Sequence, residues 1–478
     1  MTPPETATAT PDLAAPTGDG FWARVRESLR GERHDYTALP LRRAILLLAV
    51  PMVLEMAMES VFALTDIFWV SKLGADAIAT VAFTEMILII VYSFVMGLAI
   101  GASAIVARRI GEKDPGGAAR AAVQAVVLGV AMAAVVGVTG ALFGPRLLAA
   151  LHASAAVVEV GGRFTRVMLG GSVTVILLYM INAVFRGAGD PNVALRTLVL
   201  ANGINIVLGP LLVFGVGPFP RLGVTGAAVA TTIGRGVGVL YQLRALRIGR
   251  GNLVVRREHL RVDRGILASI LRLSRTGIFQ IFISTTSWVG LNQIIAPFGS
   301  TAIAGNGIAM RIVLFALFPA WGMANAASTL VGQNLGAGRP DRAEQAVWRA
   351  AFYNLIFLGG AGLLFVLFSE PIVRAFNADP AVLGYGSSAL RIVSAGFLFY
   401  AYGMVVTQAF NGAGDTWTPT LINLGCFWCW EIPVAWLLAR PLGLGPNGVF
   451  TAVLLGFSAM AVVGVALFRR GRWKQVKV

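Results

Sequence analysis

The chain has 478 residues, 56% of them hydrophobic and 13% charged, where a soluble chain carries about 25% charged residues. Apolar runs of about 20 residues, each long enough to cross a bilayer as a helix, recur from residue 43 to residue 469. The net charge is +16, but Lys and Arg sit in short connectors and at the two ends, not on aromatic-studded soluble elements. That placement excludes a nucleic-acid binder and fits a charge bias that orients a membrane protein.

The start, "MTPPETATATPDLAAPTGDG", is polar and has no apolar core, so a disordered segment and no cleavable signal are expected. "FWARVRESLRG" follows. Phe21, Trp22, Val25 and Leu29 share one helical face, with Arg24, Arg26 and Arg30 beside it. This suits a short amphipathic helix on the membrane surface.

Twelve spans can be drawn, near 43–70, 78–106, 118–143, 163–185, 192–214, 223–246, 266–297, 302–332, 344–368, 388–410, 417–439 and 447–469. The segment 244–275 carries nine Arg, and Arg108, Arg109, Lys113, Arg339 and Arg342 follow spans two and eight. The alternate connectors hold about one cation apiece, so both termini are expected in the cytoplasm. The predicted fold is therefore all-α, polytopic, with twelve transmembrane helices. No cofactor and no metal site are expected. His34, His152 and His259 form no cluster, and Cys426 and Cys429 read as small apolar residues within a span.

"FRGAGD" at 185–190 returns as "FNGAGD" at 410–415. An offset of 225 residues also pairs Gly74 with Gly299, Gly97 with Gly322, Ser103 with Ser328 and Pro115 with Pro340. The register predicts two six-helix bundles: residues 1–42 as an N-terminal segment, 43–246 and 266–469 as the lobes, 247–265 as a linker and 470–478 as a basic tail. Six is even, so the lobes are parallel repeats. Transporters built so hold substrate between the halves and rock around it. The motif "GxxxxGK[ST]" is absent, so an ion gradient and not ATP is the expected energy source. Asp190 and Asp415 are placed to cap spans five and eleven.

The first span, "LRRAILLLAVPMVLEMAMESVFALTDIFWVSKLG", holds Glu55, Glu59 and Asp66. At about 100° per residue all three occupy one stripe. Charges inside a membrane are costly and mark ion or substrate paths. Burial and a like-charged neighbour both favour a neutral carboxylic acid, so stacked acids suit proton carriage; the alternative is a carboxylate tied to an Arg. Glu85 in span two is a fourth candidate, and Glu431 is the main deep acid of the second half. Arg235 and Arg311 read as buried cations in helix-packing ion pairs. Asn202, Asn205 and Pro210 in span five, and Pro51 in span one, offer polar ligands and bending points.

The stretches "PMVLEMAMESVFALTDIFWVSKLGADAIA", "ASTLVGQNLGAGRP", "VFRGAGDP" with "INIVLGPLLVFG", and "FNGAGDTWTPT" resemble the multidrug and toxic compound extrusion (MATE) family, its DinF-like branch above all. The resemblance covers residues 43–470. It implies export of organic cations and drugs across the bacterial inner membrane against H⁺ or Na⁺, by a monomer. It assigns Asp66 to coupling, Pro51 to a bending hinge, and Asn182, Asn205 and Thr231 to the first-lobe cavity. Asn202, Tyr179 and Met56 are expected to line the same cavity. Where the family commonly has an acid four residues after Asn205, this chain has Gly209. An anionic ligand is thus missing while Glu55 and Glu59 are added, so coupling to H⁺ is expected over Na⁺, with Asp66, Glu59, Glu55 and Glu85 as carriers. Three other readings compete: a lipid-linked oligosaccharide flippase of the same superfamily, which wants a cationic cavity, an exporter of one dedicated natural product, or a non-transporting membrane receptor or scaffold, which would give the acid stripe no task. An enzyme is not expected.

Overall fold

The computed structural model describes residues 21–249 and 251–478, without the side chains of Phe21, Ala63, Leu64, Asp66 and Ile67. The expected disorder of the first twenty residues lies outside the described residues. The described residues hold helices and no strands. In chain order these are α1 (Phe21–Arg30), α2 (Leu41–Ser71), α3 (Ala75–Gly111), α4 (Pro115–Ala150), α5 (Ala155–Gly170), α6 (Ser172–Ala188), α7 (Pro191–Phe214) and α8 (Val224–Ile248) in the first half. The second half has α9 (Arg264–Ile295), α10 (Ser300–Gly336), α11 (Pro340–Leu367), α12 (Ser369–Arg374), α13 (Pro380–Ala395), α14 (Phe397–Ala413), α15 (Trp417–Asn423), α16 (Ile432–Ala439) and α17 (Pro446–Arg469).

Local chemistry sets the starts. Asp114 accepts the Gly117 N–H at 2.7 Å at the head of α4, and Asp263 accepts from Gly265 and Ile266 at 2.9 and 3.1 Å at the head of α9. Each satisfies donors that a helix leaves open. The ends of α6 and α14 need a left-handed residue, supplied by Gly189 (φ 82°) and Gly414 (φ 86°) of the repeated hexapeptide.

Ten helical stretches are long and apolar enough to cross a membrane, and eleven if α13 with α14 counts as one span. The twelfth is α8, whose Arg235, Arg244 and Arg247 lower its hydropathy. Spans four and ten are longer than the sequence predicted and each is broken, at Gly171 and at Gly396; the second bends by 55°. Span eleven is not a regular helix. A π-helical turn, Leu424–Glu431, joins α15 to α16. Pro433 cannot supply the N–H that an α-turn would need there, and a wider turn absorbs the mismatch.

The halves meet reciprocally. A Cβ on Gly97 of α3 would lie 2.5 Å from the Ile278 nitrogen of α9, and one on Gly322 of α10 would lie 2.5 Å from the Met52 oxygen of α2. Only glycine permits such backbone approach. Helix α2 belongs to both halves. Leu41, Ile45, Leu48 and Met52 are buried in the core of the second half, whereas Met58 packs in the first. Pro51 sits at that crossing, and α2 runs through it unbroken.

Both described termini lie on one face. There, residues 31–40 strap the halves together: Lys113, just after α3, pairs with Asp35 at 2.6 Å, and Arg339 donates to the Thr37 oxygen at 2.8 Å. Burial alone would raise the Asp35 carboxyl, but Lys113 and Thr37 hold it below its ordinary value. The C-terminal tail adds Arg108 to the Val476 oxygen at 2.8 Å, and Lys474 to Asp341 and Glu344 at 3.0 and 2.7 Å. This face is closed.

Candidate transport site

The first two acids of the α2 stripe, Glu55 and Glu59, sit in different surroundings. Glu55 is fully buried, and its Oε1 accepts from Arg186 Nη1 at 2.6 Å. Arg186 ends α6 inside "FRGAGD", and its own carbonyl accepts the Thr329 hydroxyl of α10 at 3.0 Å. The ion pair thus sits where α2 and α6 meet the other half. Two charges taken out of water together need such geometry; either alone would be strongly destabilising.

One turn on, Glu59 is half-buried. The Tyr179 hydroxyl donates to its carboxylate, and the Arg235 and Arg186 guanidinium groups lie close. Arg235 is buried; it donates to the Tyr92 hydroxyl at 3.4 Å and lies 4.5 Å from the centre of the Phe62 ring. Tyr92 and Tyr179 meet edge to face at 5.7 Å. The result is the carboxylate of a half-buried residue held beside the Tyr179 phenol and two guanidinium groups, with Tyr92 on Arg235 behind them.

The expected cavity amides are buried and mostly engaged. Asn205 donates to Thr231 at 2.9 Å, Asn202 to the Met58 oxygen of α2 at 2.8 Å, and Gln242 to Asn182 at 2.5 Å. Asn202 therefore pins α7 to α2 beside Glu59. Met56 is half-buried on α2, and Glu85 is exposed on α3, unlike Glu55. Asp66 lies on α2 near its end, and its side chain lies outside the described residues.

Two expectations need correction. Arg311 is exposed, not buried; the helix face on which it stands packs only farther along α10. Asp190 does not cap α7: its carboxylate turns back to accept the Asn252 N–H at 2.6 Å. Asp415 does cap, accepting the Thr418 N–H and hydroxyl at 3.1 and 2.5 Å. Burial raises the Asp190 carboxyl to about 7, against the Asn252 N–H and Arg33.

Sequence reasoning missed Tyr92 and Arg186. Arg186 carried a signal, since it is the one difference between "FRGAGD" and "FNGAGD". Tyr92 carried none, because an apolar run hides one aromatic among many.

The second half has neutral residues in the matching places. Asn423 donates to Ser284 at 2.9 Å, Gln408 to Asn325 at 3.2 Å, and Asn411 to Gln408 at 2.7 Å. Glu431 is its buried acid, set by the π-helical turn beside Tyr400 and Cys426. Its Oε2 has no hydrogen-bond partner among the described residues. The described residues hold no cluster of metal-ligating side chains.

The MatE family model matches residues 51–211 and again 277–437. A probable multidrug resistance protein NorM of Thermotoga maritima is 25% identical over 450 residues, covering 91% of this chain and 94% of the relative. A FAD transporter of Shewanella oneidensis is 26% identical over 403 residues, covering 82% of this chain and 87% of that one. A solved outward-facing conformation of a multidrug resistance MATE family transporter of the MOP superfamily superimposes with a TM-score of 0.86 at 25% identity, covering 92% of this chain and 98% of that one. With a helical bundle of membrane spans, a charged network inside its first half, and a family model matched over most of its length, the chain is a multi-pass membrane transporter of the MATE family and not an enzyme.

Proposed function

We propose that this transporter exports drugs and organic cations across the bacterial cytoplasmic membrane in exchange for protons. Both termini lie in the cytoplasm, and a single chain forms the carrier. The observation that carries the reading is the network on α2. Glu59 is a half-buried acid with the Tyr179 hydroxyl and two guanidinium groups around it, and Asp66 shares its stripe. Protonation of Glu59 would leave Arg235 and Arg186 with one anion fewer, which changes how α2, α6 and α8 hold together. Glu55, sealed onto Arg186, transmits that change to the second half. Pro51 lies where α2 crosses between the cores, which suits a hinge. Asn182, Asn202, Asn205, Thr231, Tyr179 and Met56 form the polar side of the path.

The test is ethidium transport in proteoliposomes under an imposed pH gradient or an imposed Na⁺ gradient. Wild type should respond to the pH gradient alone. Glu59→Gln and Asp66→Asn should each lower pH-driven transport by at least about tenfold. Full transport by both variants, or a strict Na⁺ requirement at constant pH, would overturn the proton reading.

A further inference from the structure

Arg311 is the strongest unexplained charge in the molecule. It lies eleven residues into α10, about 16 Å from the end remote from the closed face. It is exposed, and no acid, hydroxyl or carbonyl bonds it among the described residues. Exposed to hydrocarbon, a guanidinium would be costly. Its helical face shows that it meets the other half's side of the molecule instead. Gly322 stands eleven residues farther on, about 20° around the helix, and Gly322 packs directly on the Met52–Val53 backbone of α2. The Arg311 face is thus the face that α10 turns to the first half. It is in contact toward the closed end and parted at the level of Arg311, where the neighbouring Phe315 is also exposed.

The repeat-related helix α3 has different chemistry in the matching places. Gly97 of α3 is the repeat partner of Gly322, and the α3 residues matching Arg311 and Phe315 are Met86 and Ile90, both exposed. The α10 face therefore carries an aromatic ring beside a guanidinium that has no partner among the described residues, where the matching α3 positions are apolar. A guanidinium presents a planar fork of donors that suits carboxylate and phosphate oxygens.

We infer that Arg311 is a specificity-determining residue that binds an oxyanion group, carboxylate or phosphate, carried on an aromatic or apolar body. This rests on the reading of the chain as an exporter that holds its substrate between the halves, and it adds to that reading that cationic character alone is not what the cleft selects. Proton coupling through α2 is a separate matter, so the test measures binding without any gradient.

Equilibrium binding to purified protein in nanodiscs should compare two matched pairs: norfloxacin with its ethyl ester, and flavin mononucleotide with riboflavin. In at least one pair the anionic member should bind about tenfold tighter to wild type. Arg311→Gln should erase that preference while leaving the partner that lacks the oxyanion, and ethidium, unchanged, and Arg311→Lys should restore part of it. The pair that responds tells carboxylate from phosphate. No preference in wild type for either pair, or a preference that survives Arg311→Gln, overturns the proposal. Ethidium binding that persists while the anion preference fails would leave the exporter reading standing and remove only this one.

Discussion

The two halves share a backbone plan and differ in what they bury. At the offset of 225, Glu55 meets Gln280, Glu59 meets Ser284, Tyr179 meets Met404, Arg186 meets Asn411 and Tyr92 meets Leu317. Each residue of the first-half network has a neutral counterpart, and the second half closes the same space with amides and hydroxyls. The glycines that set the junction are kept on both sides, as Gly97 and Gly322. Shape is therefore common property, while the charged network of α2, α6 and α8 belongs to the first half. A carrier needs two matched lids to alternate, but the coupling ion needs only one place to bind.

The largest effect should come from moving one partner of the buried pair to its second-half identity. Arg186→Asn alone strands Glu55 and should cost about 3–5 kcal/mol, seen as a lowered thermal unfolding midpoint. Glu55→Gln with Arg186→Asn installs the second half's residues at both places and should recover most of that loss. A double variant as unstable as the single one would show that the pair is not the reason these two residues differ from Gln280 and Asn411.

Next comes the shared junction. Gly97→Ala and Gly322→Ala each place a methyl against backbone of the opposite half and should cost about 1–3 kcal/mol. Both should part the halves on the closed face, measured as a longer distance between spin labels on α3 and α10. Equal shifts from both variants would show that the junction is functionally symmetric, and unequal shifts would extend the asymmetry to the scaffold.

The connectors diverge through Asp190 and Asp415. The folded Asp190 carboxyl titrates near about 7, above its unfolded value. Between those two values the folded chain holds a proton that the unfolded chain has lost. Stability should therefore fall as pH rises through that window, by at most about 1.4 kcal/mol per pH unit, and level off above about 7. Asp190→Asn should flatten the slope in pH-dependent unfolding. Asp415→Ala should instead remove a helix cap, at about 1 kcal/mol, the smallest effect of the set.

Much of this was legible early because the controlling forces are local. A bilayer demands apolar runs of a fixed length, so the spans could be read from composition, and the 225-residue register pointed to paired glycines. The stripe of Glu55 and Glu59 followed from helical period alone. The breaks at Gly171 and Gly396 and the π-helical turn before Pro433 were not legible, since a span of the right hydropathy looks the same whether straight or bent.

What the sequence determined by itself was the membrane-spanning helical class, the family and the residues able to carry charge. Which charges are sealed and which are open was decided by tertiary structure. Arg235 and Arg311 read alike along the chain, each a cation in an apolar run. Folding places one between two tyrosines and beside Glu59, and leaves the other on a face that meets its partner only farther down the helix. The difference lies in where neighbouring helices part, and no local pattern encodes that distance.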